Sequence, residues 1–404
     1  MNKLKVSNIF FIIKFLSIFL LFSIILSSTV FGNDSNSSNN SDVSKIISYN
    51  YPINNTVLQS SVFNLEVQAN YQNITDVRAD FFIEERFTIA VIPDAQYYTC
   101  GTGFCRGDHT EKLNEQIQWI VDNREKHNIQ YVTQTGDLVQ NGDNVESEWI
   151  NASLAFSLLE DENSTLLGDG IPYGIAVGNH EQTPEGSPDN STNLFNKYFG
   201  IEKFDNRAYY GGHYGNNNDN YFHLLEIGDL EFIVVYIEYD LKNKNIDVLD
   251  WADNLLLNYS SSRAIIVSHN SLEIDGNFSS TGQYIVDRLG HHNNFFLMLG
   301  GHGSCDNCEN FTESEGSMYG NSEQTKLHKI NNRTIITLQA AYQERPNGGN
   351  GWMRLLEFNT VGNTIKVKTF SPTLNIYEKD DNSDFTIDYE MESHFVKVCN
   401  NFFY

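Results

Sequence analysis

The sequence predicts an α/β fold with mixed sheets, in which parallel and antiparallel strand pairs occur together. From Phe87 onward, short apolar runs of strand length alternate with segments of helical periodicity, which is typical of α/β layers. Near the C-terminus, two strand-like runs flank the turn-forming residues 359–363, which predicts a hairpin. The length of 404 residues fits one large domain with appendages, or two domains.

The first segment, residues 1–32, has the composition of a secretory leader. Two lysines precede an apolar run, Ile9–Leu26, which is interrupted by Lys14, and residues 30–32 supply plausible cleavage positions. These features predict a signal peptide. An uncleaved membrane anchor is the alternative, because the run approaches the ~20 residues that span a bilayer. Lys14 argues against a stable span.

Two further segments precede the main domain, and one follows it. Residues 33–45 are rich in Asn and Ser and contain few apolar side chains that could be buried, so we predict a solvated linker. Residues 46–86 alternate apolar and polar positions, which predicts a small N-terminal β appendage or an edge of the main sheet. The main domain is predicted over 87–375. We expect the acidic tail, 376–404, to pair as an edge or to remain mobile.

Within the main domain, the apolar periodicity assigns each element in turn. Strands are predicted at 87–92, 131–135, 173–177, 221–226, 231–239, 264–267, 295–299, 333–338, 353–358 and 364–369. Helices are predicted at 111–125, 146–159, 248–257 and 283–289, the first with Leu113, Ile117 and Ile120 on one face.

The acidic composition limits the partners that the chain can bind. The formal net charge is −26, and removal of the leader, which contains three lysines and no acidic residue, takes it to −29. A field of this sign repels nucleic acids and anionic lipids. We therefore expect no nucleic-acid partner, and no membrane partner after signal cleavage.

Potential glycosylation sites agree with the leader. Asn-x-Ser/Thr triplets begin at Asn33, Asn36, Asn39, Asn54, Asn73, Asn151, Asn163, Asn190, Asn258, Asn277, Asn310 and Asn332. Each triplet by itself is weak evidence for glycosylation, because a chain rich in Asn and Ser contains several by chance. Together with the leader they predict N-linked glycans and a secreted or endo-lysosomal location.

The cysteines lie in two close pairs with one left over. Cys100 and Cys105 form one pair, Cys305 and Cys308 form the other, and Cys399 stands apart. In a secreted chain, disulfides are the expected state. Pairing within each pair and pairing across the two pairs both remain open, and Cys399 is either free or available for an intermolecular bond. A thiolate metal ligand at Cys305 is the less favoured alternative.

Five short polar motifs follow strand-like runs in a fixed order. They are Asp94-Ala95-Gln96, Gly136-Asp137-Leu138-Val139-Gln140, Gly178-Asn179-His180-Glu181, Ser268-His269-Asn270 and Gly300-Gly301-His302-Gly303. Loops that follow successive strands converge on one rim of a sheet. Carboxylates, amide oxygens and imidazoles suit a divalent first-row metal. The motifs therefore predict a metal-assisted hydrolase.

Simpler explanations exist for each of these residues. Asp137 and Asn179 follow strands, where such residues often cap the next helix, and His269 and His302 are compatible with core histidines. The joint pattern favours metal binding. The eight other histidines, which include His109, His213, His291 and His292, fit no ligand spacing and are predicted to be surface or loop residues.

In order and spacing, the five motifs resemble the calcineurin-like metallophosphoesterase family. Within it they resemble a secreted branch whose first motif reads Asp-x-Gln, and the stretches 342–343 and 345–352 resemble that branch as well. The similarity covers 87–372. It implies a four-layer α/β/β/α sandwich of mixed sheets with two metals at the sheet rim.

The resemblance also implies a ligand set. Asp137 would bridge the metals, and one metal, Mn, Zn or Fe, would also take Asn179, His269 and His302. The second would take Asp94 and Gln96 besides the bridging carboxylate. Gln140 and Ser304 are weaker candidate ligands for this second metal. Ser304 occupies a position where family members commonly have histidine. This all-oxygen pocket should hold Mg, Mn or Ca weakly or remain empty.

The implied reaction is hydrolysis of a small phosphomonoester or phosphodiester by metal-activated water. His180 would protonate the leaving alkoxide. Many members orient this histidine with an acid where this chain has Gln140, and Glu181 is the acid adjacent in sequence. The alternative is a catalytically reduced glycoprotein of the same fold with a structural or binding role.

Overall fold

A computed structural model describes residues 23–27, 80–84, 86–101, 109–240, 242, 246–303, 322–330 and 333–391. The chain divides into two compact units. The smaller unit comprises Met1–Arg86, Asn359–Thr364 and Tyr389–Tyr404, and the larger comprises Phe87–Phe358 and Ile365–Asp388.

In the smaller unit, two strands form an antiparallel pair, β1 (Ser23–Ser27) and β2 (Asp80–Glu84). β1 falls in the segment predicted as a leader, and β2 falls in the predicted β appendage. The predicted linker, 33–45, lies outside the described residues. The signal peptide and the linker stay predictions.

The following strands, in chain order, are β3 (Arg86–Ile92), β4 (Ile129–Gln134), β5 (Tyr173–Ile175), β6 (Tyr210–His213), β7 (Tyr221–Ile227), β8 (Leu230–Ile237), β9 (Arg263–Ser268), β10 (Phe295–Gly300), β11 (Glu323–Ile330), β12 (Arg333–Ala340), β13 (Met353–Asn359), β14 (Thr364–Ser371), β15 (Ile376–Tyr377) and β16 (Asp384–Asp388). The helices are α1 (Gln96–Thr99), α2 (Glu111–His127), α3 (Glu146–Glu160), α4 (Glu162–Thr165), α5 (Asn193–Phe199), α6 (Ile201–Phe204), α7 (Ile246–Asn258), α8 (Ser280–Leu289) and α9 (Pro346–Gly349). A 3₁₀ turn lies at Gly142–Asn144.

Two mixed sheets form the core of the larger unit. One has the order β15-β14-β13-β3-β4-β5, with β16 on β14, and the other has the order β11-β12-β10-β9-β8-β7-β6. Strands β3, β4 and β5 are parallel, as are β8, β9, β10 and β12. Antiparallel strands close the edges at β6–β7–β8 and β11–β12. The predicted mixed character of the sheets is confirmed.

Aromatic side chains pack between the sheets. Phe87 of β3 contacts Phe232 of β8 with ring centroids 5.7 Å apart, and Phe296 lies 6.5 Å from Phe358. Aromatic rings combine large buried area with defined pair geometry. This layer keeps the two sheets face to face.

Helices cover the outer faces. On the first sheet, Trp119 of α2 packs against Phe370 of β14 at 4.7 Å, and Phe156 of α3 packs against Tyr173 at 5.1 Å. On the second sheet, apolar residues of α7 and α8 join one cluster with those of β8, β9 and β10. The four-layer α/β/β/α sandwich is therefore confirmed. No helix within the described ranges has the length and apolarity needed to cross a bilayer.

The observed location of one histidine differs from the predicted location. His223 was expected at the surface or in a loop, yet it is fully buried in β7. Its Nδ1 lies 2.6 Å from the Tyr131 hydroxyl of the facing sheet. Burial lowers the pKa of His223 to about 3, so the ring is neutral. The surface prediction failed because a neutral imidazole with a hydroxyl partner is acceptable inside a core.

Candidate metal centre

The polar motifs lie at the C-terminal ends of parallel strands. They follow β3 (Asp94), β4 (Asp137), β5 (Asn179), β9 (His269) and β10 (His302). Because parallel strands present these ends at the same sheet edge, their loops meet there. The two sheets contribute to one centre, since donor atoms from both lie within hydrogen-bonding distance.

Three side chains form the centre of this cluster. Asp137 Oδ2 lies 3.0 Å from His269 Nε2, and His269 Nε2 lies 3.2 Å from His302 Nδ1. One potential ligand atom from each residue lies within 4.8 Å of the other two. One carboxylate and two imidazoles at this spacing are suited to a borderline divalent cation such as Zn²⁺, Mn²⁺ or Fe²⁺.

The charges in the cluster are complementary. Burial would raise the pKa of Asp137, but the His269 and His180 imidazoles outweigh it and hold that pKa below its usual range. Burial would lower the pKa of His269, yet the carboxylates of Asp137 and Asp94 raise it to about 10. The site therefore stabilises positive charge beside Asp137.

Asn179 provides a free oxygen at the same edge. Its Nδ2 donates to Glu185 Oε1 at 2.7 Å, while its Oδ1 is buried without a hydrogen-bond partner among the described residues. The next residue, His180, donates its backbone N–H to Asp137 Oδ1 at 3.1 Å. Buried polar atoms without partners are rare, and an amide oxygen is a good ligand for a cation. The residues present thus fit a bound metal ion.

The predicted ligands of the second metal provide fewer donor atoms than those around Asp137. Asp94 is buried and accepts hydrogen bonds from His302 N and from Gln343 Nε2, the latter at 2.8 Å. Gln96 Nε2 lies 3.4 Å from Asp137 Oδ2, and Gln96 Oε1 is buried without a partner within the described part of the chain. Burial raises the pKa of Asp94 to about 7. Ser304 lies outside the described residues.

His180 is held through one of its two ring nitrogens. Nδ1 lies 2.9 Å from the backbone carbonyl oxygen of Gln140 and 3.2 Å from Gln140 Nε2. The carbonyl accepts the Nδ1–H, which fixes the ring orientation. Nε2 faces Asp137 Oδ2 at 3.9 Å and Glu185 Oε1 at 3.8 Å. Burial lowers the pKa of His180, but Asp137 and Glu185 reverse this and raise it.

Glu181 does not face the His180 ring. Its fully buried carboxylate accepts backbone N–H groups from Gly178 at 2.6 Å, Asp137 at 2.8 Å and Val139 at 3.1 Å. Asp137 has a positive φ of 54°, which is unfavourable for a residue with a side chain. Glu181 therefore stabilises the strained loop that presents Asp137.

Two glycines permit the close approach of these side chains. A Cβ on Gly136, where φ is 101°, would lie 2.5 Å from His269 Nδ1. A Cβ on Gly301 would lie 2.1 Å from Asp94 Oδ1. Both distances are far below van der Waals contact, so the glycines that precede the acidic and histidine motifs are needed for packing.

Three residues near the centre were not predicted to be site residues. Glu185 faces His180 from a loop that returns through a Thr183–Ser191 bridge. Gln343 contacts Asp94, and the Tyr239 ring lies 5.3 Å from the His302 ring. Gln343 belongs to a stretch that the resemblance had already singled out, whereas nothing local in the sequence marks Glu185 or Tyr239.

Comparisons with known proteins agree with the fold. A family model described as calcineurin-like phosphoesterase matches residues 87–334. The uncharacterized protein YvnB of Bacillus subtilis is 29% identical over 334 residues, a match that covers 79% of this chain and 23% of YvnB. The chain thus spans less than a quarter of that relative's length.

Similar solved structures include two phosphatases. Purple acid phosphatase PPD1 from yellow lupin (Lupinus luteus) is 11% identical with a TM-score of 0.45, over 78% of this chain and 57% of that chain. A dimetal phosphatase from Danio rerio is 13% identical with a TM-score of 0.42, over 75% of this chain and 99% of that chain.

Proposed function

This chain belongs to the calcineurin-like phosphoesterase family, and on that premise we propose that it is a secreted, metal-dependent phosphoesterase. The observation that supports this most strongly is the meeting of Asp137, His269 and His302, with donor atoms within 4.8 Å of one another. The Asn179 side-chain oxygen, which has no hydrogen-bond partner within the described ranges, is the proposed fourth donor.

The donor types indicate which cations each group of ligands would hold. Asp137, Asn179, His269 and His302 would hold Zn²⁺, Mn²⁺ or Fe²⁺. Asp94 and Gln96, with oxygen donors, would hold Mg²⁺, Mn²⁺ or Ca²⁺ more weakly. A bound divalent cation supplies a water of lowered pKa and neutralises phosphate oxygens.

His180 is the proposed general acid. Its Nδ1–H donates a hydrogen bond to the Gln140 carbonyl oxygen at 2.9 Å. Nε2 is therefore the nitrogen that would deliver a proton to the leaving oxygen. The raised pKa of His180 favours the protonated form that this step needs. The backbone carbonyl thus supports the ring where many relatives use an acidic side chain.

Glu185 restricts the leaving group. Its carboxylate lies 3.8 Å from His180 Nε2 and is 59% exposed, so it would lie beside a leaving group that this nitrogen protonates. Together with the net charge of −26, it disfavours polyanionic leaving groups. Small phosphomonoesters or phosphodiesters with neutral or cationic leaving groups fit this side best.

The proposed location is the secreted or endo-lysosomal pathway, within the Asp-x-Gln branch of the family. The leader-like segment and the glycosylation triplets support it. Cys100, at the end of α1, is disulfide-bonded, which also favours an oxidising compartment. Its pairing with Cys105, Cys305 or Cys308 stays a prediction, because these three lie outside the described residues.

The test combines metal analysis with hydrolysis. The purified chain is assayed with p-nitrophenyl phosphate and bis-p-nitrophenyl phosphate after addition of Mn²⁺, Zn²⁺ or Mg²⁺, and its metal content is measured after dialysis. Turnover that requires an added or retained cation supports the enzyme. One tightly held ion without turnover of either ester would instead favour the catalytically reduced binding protein.

A further inference from the structure

A second cluster of metal-ligating side chains lies in the outer helical layer. Asp253 is on α7, and His291 and His292 lie in the turn between α8 and β10. One ligand atom from each of the three side chains lies within 4.8 Å of the other two. Both histidines were predicted to be surface or loop residues.

From this cluster we propose a separate binding site for a transition-metal ion, formed by Asp253, His291 and His292. Asp253 Oδ1 lies 2.8 Å from His292 Nε2 and 3.3 Å from His291 Nε2. Neighbouring ligands that each lie about 2.1 Å from one ion are about 3.4 Å apart at a tetrahedral centre and about 3.0 Å apart at right angles. The observed distances are close to these values, so an ion can enter with small side-chain adjustments.

The donor chemistry selects the type of ion. Two imidazoles and one carboxylate on one side of an ion leave the other positions to water. Imidazole favours Zn²⁺, Ni²⁺ and Cu²⁺ over Mg²⁺ and Ca²⁺. The His291 side chain is 64% exposed, whereas that of His292 is 9% exposed. Solvent ions therefore reach the site, and one ligand is already held in place.

The backbone on both sides is fixed independently of any ion. Ala252 and Leu289, each close in sequence to a ligand, are buried in the apolar cluster that attaches α7 and α8 to the sheet. The Asn294 side-chain amide donates to the carbonyl groups of Leu256, Tyr259 and Ser262 at 3.0–3.2 Å. These bonds hold the turn after α8 against the end of α7, so the ligands are preorganised.

This site is distinct from the candidate metal centre. His292 precedes β10 and His302 follows it, and β10 has six residues. At about 3.3 Å per residue, the two ends are roughly 20 Å apart. Binding at the outer site is therefore expected to leave hydrolysis unchanged.

The test measures bound Zn²⁺ in excess Mg²⁺, for the whole protein and for the variants Asp253→Asn and His291→Ala. His328→Ala, in the edge strand β11, is the matched control. We expect each ligand variant to lose one zinc equivalent, with affinity falling more than about 100-fold. The control should keep that equivalent, and all three variants should keep the hydrolytic rate.

Unchanged zinc stoichiometry and affinity in His291→Ala would overturn the proposal and leave an ordinary hydrogen-bonded Asp–His cluster. His291 is largely exposed, so this variant remains informative if Asp253→Asn fails to fold. A second measurement uses Cu²⁺ and electron paramagnetic resonance. Two coupled imidazole nitrogens at the outer site should become one in His291→Ala, and absence of imidazole coupling there would contradict the site.

Discussion

The two halves of the candidate metal centre differ in chemistry although both are buried. The half around Asp137 combines a carboxylate with two imidazoles, whereas Asp94 accepts hydrogen bonds from the backbone N–H of His302 and from the side-chain amide of Gln343. Burial raises the pKa of Asp94 to about 7, but the imidazoles next to Asp137 hold its pKa below the usual range. The two carboxylates are buried alike, yet their pKa values shift in opposite directions, because the neighbouring charges differ.

One sheet edge can therefore present two groups of donors that differ in the cations they prefer. On the proposed assignment, the imidazole-rich half around Asp137 would retain a borderline metal, and the oxygen-only half around Asp94 would exchange hard cations.

The largest effect is expected from Asp137→Asn, which removes the carboxylate shared by both halves. Hydrolysis should fall by at least about 10³-fold, equivalent to ~4 kcal/mol of transition-state stabilisation. Metal content and p-nitrophenyl phosphate turnover are measured together. Asp275→Asn, in an exposed turn, is the matched control and should behave like the unmodified protein. Sustained turnover by a clean preparation of the Asp137 variant would contradict its role.

The next effect concerns His180, which lies beside the imidazole-rich half without belonging to its donor set. His180→Ala should slow esters with poor leaving groups by about 10²-fold or more, since loss of a general acid costs that much. Activated aryl esters, which need no protonation, should be affected much less. The comparison of alkyl and p-nitrophenyl esters checks this, and equal losses for both would exclude the acid role.

A smaller effect is expected from strengthening the oxygen-only half. Ser304→His adds an imidazole two residues after His302, where relatives commonly have one. We expect the affinity for a second cation to rise by about tenfold or more, since imidazole binds such metals well. Isothermal titration with Mn²⁺ or Zn²⁺ measures it. An unaltered second affinity would show that this position lies too far from Asp94.

The smallest effect should follow from Gln343→Leu, which removes the 2.8 Å hydrogen bond to Asp94 Oδ2. Loss of such a supporting bond typically weakens metal affinity by about tenfold. The loss should be confined to the oxygen-only half, with zinc retained by the other. Gln118→Leu, on the exposed face of α2, serves as control. A loss of the tightly held ion would show that the halves are not independent.

Much of the fold and of the centre was predictable from the sequence. Alternating strand and helix periods gave the α/β class, and the motifs marked the ends of β3, β4, β5, β9 and β10. The predicted ligands Asp137, His269 and His302 lie together in the structure. Short elements such as α5 and α6 were not foreseen, because a single turn or two of helix carries too little periodicity.

The fold class and the place of each motif follow from the amino-acid sequence, since strand length, strand direction and the loop after a strand are local properties. Tertiary structure alone decided that Glu181 binds backbone amides, that Glu185 faces His180, and that Asp253 meets His291 and His292. Each of these contacts depends on how distant loops and helices pack on the sheets. No local pattern encodes that packing, because it arises from the summed contacts of the whole core.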